Sequence, residues 1–155
     1  MIKPNQQYAA LPFMRDGDGS FRIMLVTTRG RKRWMVPKGW PIPGLQPHES
    51  AAREAFEEAG VVGHVHPKPL GSFEYLKGIG FGRRVKCTVE VFPLEVYHQR
   101  RYWLERGERE TKWFNVEKAA GLVLEPTLKR ILLHFDPYAL LSSDEADLQD
   151  GRGRS

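Results

Sequence analysis

Hydrophobic positions in this chain of 155 residues come in short clusters separated by glycine, proline and charge. Phe21-Arg22-Ile23-Met24-Leu25-Val26-Thr27-Thr28 is rich in apolar and β-branched residues and predicts a mostly buried strand. Arg29–Arg33 reads as a turn and Trp34-Met35-Val36 as a second short strand. From Pro37 through Gly39, Pro41, Pro43 and Gly44 to Pro47 the breakers are too dense for regular structure, so a long, stiff loop is expected. Loops of that length inside a small domain tend to carry function. His48–Ala59 predicts the clearest helix, rich in Ala, Glu and Arg, with Gly60 where a C-terminal cap belongs. Beyond it, Leu70–Lys77 and Arg84–Tyr97 predict strands joined by a turn at Gly78–Gly82. Lys112–Phe114 predicts one more short strand, and Glu117–Leu122 and Pro126–Phe135 predict helices. Residues 1–141 read as a single domain, and the polar stretch 142–155 as a disordered tail. Mixed strands, with one helix between them and others near the end, give an α+β class and an α/β/α sandwich.

Composition narrows the function classes. Hydrophobic residues make up 41% and charged residues 28%, ordinary for a globular domain. No apolar run approaches the ~18 residues of a membrane span, so no membrane partner is expected. Met1–Gln7 lacks the apolar core of a secretory signal. The single cysteine, Cys87, excludes an internal disulfide, fits a reducing cytoplasm and reads as a small buried residue in a strand. A net charge of +5 suits an anionic partner. Arg29, Arg31, Lys32, Arg33 and Lys38 crowd one stretch, and Arg83, Arg84 and Lys86 another. Such runs are either solvated loops or phosphate contacts, and the first, directly before the breaker-rich loop, leans towards phosphate. Trp34, Trp40, Phe81 and Trp103 near basic residues raise a nucleic-acid reading, but no RNA-binding motif accompanies them, so nucleic acid is not the expected partner.

Chemistry concentrates in the central helix. Glu54, Glu57 and Glu58 stand at i, i+3 and i+4, which puts three carboxylates on one face within a turn. Like charges at that spacing repel by roughly 0.2–0.5 kcal/mol per pair, and the C-terminal end of a helix disfavours anions. A hard divalent cation reverses the balance, because Mg²⁺ and Mn²⁺ take carboxylate oxygens together with water and phosphate oxygens. Ala51, Ala52, Ala55, Phe56 and Ala59 on the opposite side would let the helix press closely on a sheet or on the preceding loop, and Arg53, one turn before Glu57, is placed to hold that carboxylate. The alternative is a solvated acidic face with an ordinary ion pair.

Gly39, the proline-rich loop and Arg53-Glu54-Ala55-Phe56-Glu57-Glu58-Ala59-Gly60-Val61 together resemble the signature of the Nudix hydrolases, G-x5-E-x7-R-E-U-x-E-E-x-G-U with U aliphatic. The second half matches at every fixed position and at the correct distance from Gly39. One position departs: the signature's first Glu falls on Leu45. Val26-Thr27-Thr28-Arg29, Trp34-Met35-Val36-Pro37, Gly71-Ser72-Phe73, the Arg83–Leu94 strand and Trp113-Phe114 with Ala119-Ala120 resemble the diphosphoinositol polyphosphate phosphohydrolase branch, which also cleaves diadenosine polyphosphates. A Lys that precedes a late Pro in that branch is Glu125 before Pro126 here.

The resemblance implies a Nudix-type α/β/α sandwich with a mixed sheet and a hydrolase of phosphoanhydride bonds that uses Mg²⁺ or Mn²⁺. It assigns metal binding to Glu54, Glu57, Glu58 and the backbone carbonyl of Lys38, and catalysis to Glu54, Glu57 and Arg53, with Glu54 placed to orient or deprotonate water. Thr28, Arg29, Lys38, Arg83 and Arg84 are the expected contacts of substrate phosphates. Glu105 and Glu108 are both candidates for a further acid from a later loop, and sequence does not choose between them. Other substrates within the family, such as a nucleoside diphosphate sugar or an RNA 5′ end, remain open. So does a non-catalytic nucleotide-sensing module, for which Leu45 would be the mark.

Overall fold

Neighbouring residues of β1 (Gln6–Arg15) belong to two different hydrophobic cores. Strand side chains alternate across a sheet, so Tyr8 and Ala10 enter one core while Ala9, Leu11 and Phe13 enter the other. The same division runs through β2 (Phe21–Thr27), with Met24 and Val26 on one face and Ile23 and Leu25 on the other. A sheet apolar on both faces needs a cover on each. Here α1 (Pro47–Ala59) supplies one, and α2 (Val116–Leu122) with α3 (Pro126–His134) the other. The computed structural model describes residues 4–140, so the tail expected at 142–155 lies outside the described residues.

The sheet is mixed and has eight strands. β1 runs parallel to β7 (Arg83–Gln99), from Gln6 opposite Thr88 to Phe13 opposite Glu95. On its other edge β1 pairs antiparallel with β4 (Lys38–Gly39) and then with β2. β2 carries β3 (Trp34–Met35) and β8 (Thr111–Phe114), while β7 carries β5 (Val61–Val65) and β6 (Gly71–Gly80) along its far edge. The α/β/α sandwich and its mixed sheet are as expected from the sequence.

Four details differ from that expectation. β1 and β5 are unpredicted strands. The breaker-rich loop contains a short strand, Lys38–Gly39, because Tyr8 and Ala9 offer it a free edge. The hairpin turn is tighter than Gly78–Gly82, since β6 and β7 stay paired as far as Gly80 and Arg83 and leave Phe81 and Gly82 as its tip.

α1 lies close to the sheet because Ala51, Ala55 and Ala59 face it and are fully buried. Gln46 N–H donates to the Glu49 carboxylate at 2.8 Å, satisfying a backbone donor at the start of the helix. At the far end Gly60 turns the chain at φ 70°, in the left-handed region that suits glycine. Ala52 and Phe56 are only half-buried and line a small groove of about 300 Å³ with Leu45 of the preceding loop, Glu49 and Arg53.

Candidate active site

The short helix-to-sheet distance sets the last two turns of α1 at the floor of a cleft of about 910 Å³. Glu54 and Glu58 both line it, and Glu58 is 3% exposed. The backbone N–H of Lys38, on β4, donates to the Glu58 carboxylate at 3.1 Å. Gly39 follows, and a β-carbon there would overlap the Glu54 carboxyl. The two-residue strand thus lies directly over both carboxylates, and its glycine makes the approach possible.

Burial pushes the Glu58 carboxyl up to about 8, the nearby Glu54 adding to the shift while Arg109 opposes it. Glu54 is also raised, by burial first and then by the charges of Glu57 and Glu105, against a lowering hydrogen bond with Glu58. Both carboxyls are thus raised chiefly by loss of hydration, which nearby positive charge offsets. Arg109 supplies part of it. Its Nε stands 2.9 Å from Glu105 and 3.8 Å from Glu58, and its Nη1 donates to the Thr27 carbonyl at 3.2 Å.

Lys38 extends the other way. Its ammonium donates to the Tyr75 hydroxyl at 3.0 Å, and that hydroxyl donates to Gln7 Oε1 at 2.6 Å. Burial pulls the Lys38 ammonium down to about 8, with Glu58 opposing the shift. Above this floor one wall carries Thr28, Arg29, Arg31 and Arg33, and another carries Lys77 and Arg84.

The expected residues therefore divide. Thr28, Arg29, Lys38, Arg84, Glu54, Glu58 and Glu105 line the cleft. Glu57 is half-buried beside it, near enough to act on Glu54, but is not part of the lining. Arg53 faces the small groove with Leu45, and among the described residues it forms no ion pair with Glu57. Arg83 is exposed outside the lining. Glu108 pairs at 3.2 Å with Arg29 on the exposed rim, whereas Glu105 reaches the floor. Glu125, which takes the place of a Lys in the related branch, lines the cleft, as do Gln7, Tyr75 and Arg109, which were not expected from sequence. No local pattern marks them, because each reaches the cleft through tertiary placement.

Among the described residues no three acidic, imidazole or thiol groups stand together in ligating geometry. The donor chemistry nevertheless fits a hard divalent cation. Glu58 is buried and Glu54 half-buried beside it, Glu105 lines the same cleft, and Gly39 leaves a cradle that a β-carbon would fill.

Residues 5–135 match the model of the NUDIX domain. The chain is 31% identical over 116 residues to "Nudix hydrolase 13, mitochondrial" of Arabidopsis thaliana, covering 69% of this chain and 55% of that protein. It is 33% identical over 99 residues to "Diphosphoinositol polyphosphate phosphohydrolase 3-beta" of Bos taurus, covering 63% of this chain and 56% of that one. It thus spans little more than half the length of these curated relatives. Among solved structures, an Ap4A hydrolase of C. elegans in a binary complex superposes with a TM-score of 0.62 at 18% identity, covering 89% of this chain and 98% of that chain.

Proposed function

The chain belongs to the Nudix family, and from that premise we propose that it hydrolyses a phosphoanhydride bond in a small polyphosphorylated substrate, with Mg²⁺ or Mn²⁺ as cofactor. The observation that carries this reading is the pairing of the buried Glu58 carboxyl with the half-buried Glu54, under a strand and beneath basic walls. Glu54, Glu58, Glu105 and the Lys38 carbonyl would hold the cation, with Glu57 adjoining. Bound there, it would neutralise charge on phosphoryl oxygens and make a water more acidic. The Glu54 carboxylate would orient that water and accept its proton. Arg29, Lys38 and Arg84 hold the phosphate chain from three sides, and Lys38 is aimed by Tyr75 and Gln7. Little covalent work is asked of the protein, as is usual in phosphoryl transfer.

Leu45 bears on the competing reading of a nucleotide-sensing module. Its side chain lies in the small groove with Arg53 and Glu49, away from the cleft, so the departure from the signature leaves Glu54 and Glu58 untouched. Glu125 bears on substrate. Its buried Oε1 has no hydrogen-bond partner on a wall of the cleft, which favours a ligand that presents a donor there over one phosphorylated at every position. A diadenosine polyphosphate answers that description better than a diphosphoinositol polyphosphate. No described helix is long and apolar enough to cross a membrane, and the free Cys87 suits a reducing compartment such as the cytoplasm.

The test is product release from a panel of dinucleoside polyphosphates, diphosphoinositol phosphates, nucleoside diphosphate sugars and triphosphorylated RNA, with Mg²⁺ and with EDTA. Turnover of a polyphosphate that disappears in EDTA and falls on the order of 10²–10³-fold in Glu58→Gln is expected. Full turnover in EDTA, or an unimpaired Glu58→Gln, overturns the reading.

A further inference from the structure

A helix leaves its final backbone carbonyls without intrahelical partners. At the end of α1 these carbonyls are taken up by a single segment, residues 99–105. The Glu57 carbonyl accepts from Glu105 N–H at 3.0 Å, and the Glu58 carbonyl from the Trp103 indole Nε1–H at 3.2 Å. The Ala59 carbonyl accepts from Gln99 Nε2 at 2.8 Å, and the Gly60 carbonyl from Arg100 N–H at 2.8 Å. Trp103 makes a second contact as well. Its ring rests on Gly60 so closely that a β-carbon there would overlap it. The Arg106 guanidinium stands over the same indole, 5.6 Å from its centroid.

The residues at the two ends of this clamp are the ones that matter in the cleft. Glu57 and Glu58, whose carbonyls are held, bear carboxylates at and beside the floor. The segment that holds them bears Glu105, whose carboxylate lines the cleft beside Arg109. Glu105 arrives from a loop after β7 and has no covalent link to α1 nearer than that loop. Its distance to Glu58 is therefore set by the bonds of the clamp together with Arg109, which stands between the two carboxylates. Two of the four donors are side chains, and Trp103 bonds the carbonyl of Glu58 itself.

We propose that Trp103 is a positioning residue that, by clamping the end of α1, keeps Glu105 on the cleft floor beside Glu54 and Glu58, where the three carboxylates would share one cation. Trp103 touches neither substrate nor cation. This inference rests on the cation-dependent reading of the cleft, and its test keeps the two separable.

Binding of Mn²⁺ to the full chain is measured directly, from the loss of the free-ion magnetic resonance signal, alongside kcat and KM. Trp103→Phe keeps an aromatic ring over Gly60 and removes the indole donor. Its Mn²⁺ dissociation constant is expected to rise about three- to tenfold, the effect of one lost hydrogen bond, with KM for substrate at saturating Mn²⁺ unchanged. Gln99→Leu, which removes the neighbouring side-chain donor, should shift Mn²⁺ binding in the same direction and serves if Trp103→Phe does not fold. Glu105→Gln should weaken Mn²⁺ binding by itself, and adding Trp103→Phe to it should weaken binding no further, because both changes act on one contact. Wild-type Mn²⁺ affinity in both clamp variants, or a Trp103→Phe effect that adds in full to Glu105→Gln, overturns the proposal while leaving the function reading intact. Failure of the wild type to bind Mn²⁺ overturns both.

Discussion

Gly39 and the carboxyl of Glu54 lie so close that no side chain fits between them. The contact ties the short β4 strand to the middle of α1 and fixes how far Glu54 stands from the sheet. Gly39→Ala should therefore displace Glu54 without removing it. A displacement near 1 Å at a reacting group costs on the order of 10²-fold in rate. We expect kcat to fall by about that factor while the chain still folds, as checked by circular dichroism and steady-state kinetics. An active Gly39→Ala enzyme would show that Glu54 is not held by this contact.

Burial of Glu58 has a consequence for stability. Its carboxyl ionises at 4.5 in a solvated chain and at about 8 in the fold, so between those values the native state holds a proton that the unfolded state has released. The stability from that proton is fully present below about pH 4.5 and is lost as pH rises through about 8, with a slope of up to about 1.4 kcal/mol per pH unit. Lys38 acts in the other sense. Its ammonium is lowered from 10.5 to about 8, so over that interval the unfolded chain holds the extra proton and stability recovers with rising pH. Urea unfolding of the metal-free chain from pH 5 to 8 should show the loss, and Glu58→Gln should remove Glu58's share of it. Mg²⁺ should flatten the slope by taking the proton's place. A metal-free profile identical in wild type and Glu58→Gln would contradict the assignment.

Arg109 is the fixed cation of the floor, with Glu58, Glu105 and the Thr27 carbonyl around it. Its side chain is 13% exposed, and those of Glu58 and Glu105 are 4% and 14%. Removing one partner of a buried ion pair costs about 3–5 kcal/mol, because the remaining charge is stranded. Arg109→Met should lose stability on that scale in EDTA and regain part of it in Mg²⁺, which supplies charge at the same place. The measurement is the Mg²⁺-dependent rise in Tm, expected to be larger in Arg109→Met than in wild type.

Glu125 offers a test of substrate preference. A buried acceptor left unpaired costs about 1–3 kcal/mol, enough to matter in choosing between ligands. Glu125→Lys should lower kcat/KM for a dinucleoside polyphosphate by about tenfold and raise it for a fully phosphorylated diphosphoinositol compound. Equal effects on both substrates would remove Glu125 from the choice.

Patterns written into a few consecutive residues were legible before the structure. The helix His48–Ala59 with its Gly60 cap and the three glutamates was readable because period, cap and charge all lie within one segment. β1 was not. Its alternate residues face two cores, so no polar alternation appears, and Pro12 reads as a strand breaker. Pro12 is accommodated because it falls between the residues that pair with β4 and those that pair with β2. β5 was hidden by Gly63, which stands at the irregular step of its pairing with β7, where a β-carbon would collide with the Glu95 carbonyl. In the site, sequence placed all three glutamates on one helical face. It had no means of showing that the sheet buries Glu58, leaves Glu57 beside the cleft and turns Arg53 away. Nor does any spacing connect Gln7 with Tyr75, which meet because β1 and β6 both pair with β7, or either with Arg109, which enters the cleft from the segment before β8.

The parallel ladder of β1 also dictates an order of events during synthesis. Gln6 bonds Thr88, 82 residues farther along the chain, so β1 leaves the ribosome with its longest partner strand still untranslated. At ~5–20 residues per second that wait lasts several seconds. Throughout it the apolar run Ala9-Ala10-Leu11-Pro12-Phe13, buried from end to end in the native sheet, lacks its parallel ladder and both finished cores. The strand that brings Gln7 to the cleft is thus also an exposed liability of the nascent chain, and a segment to which a holding chaperone would be drawn.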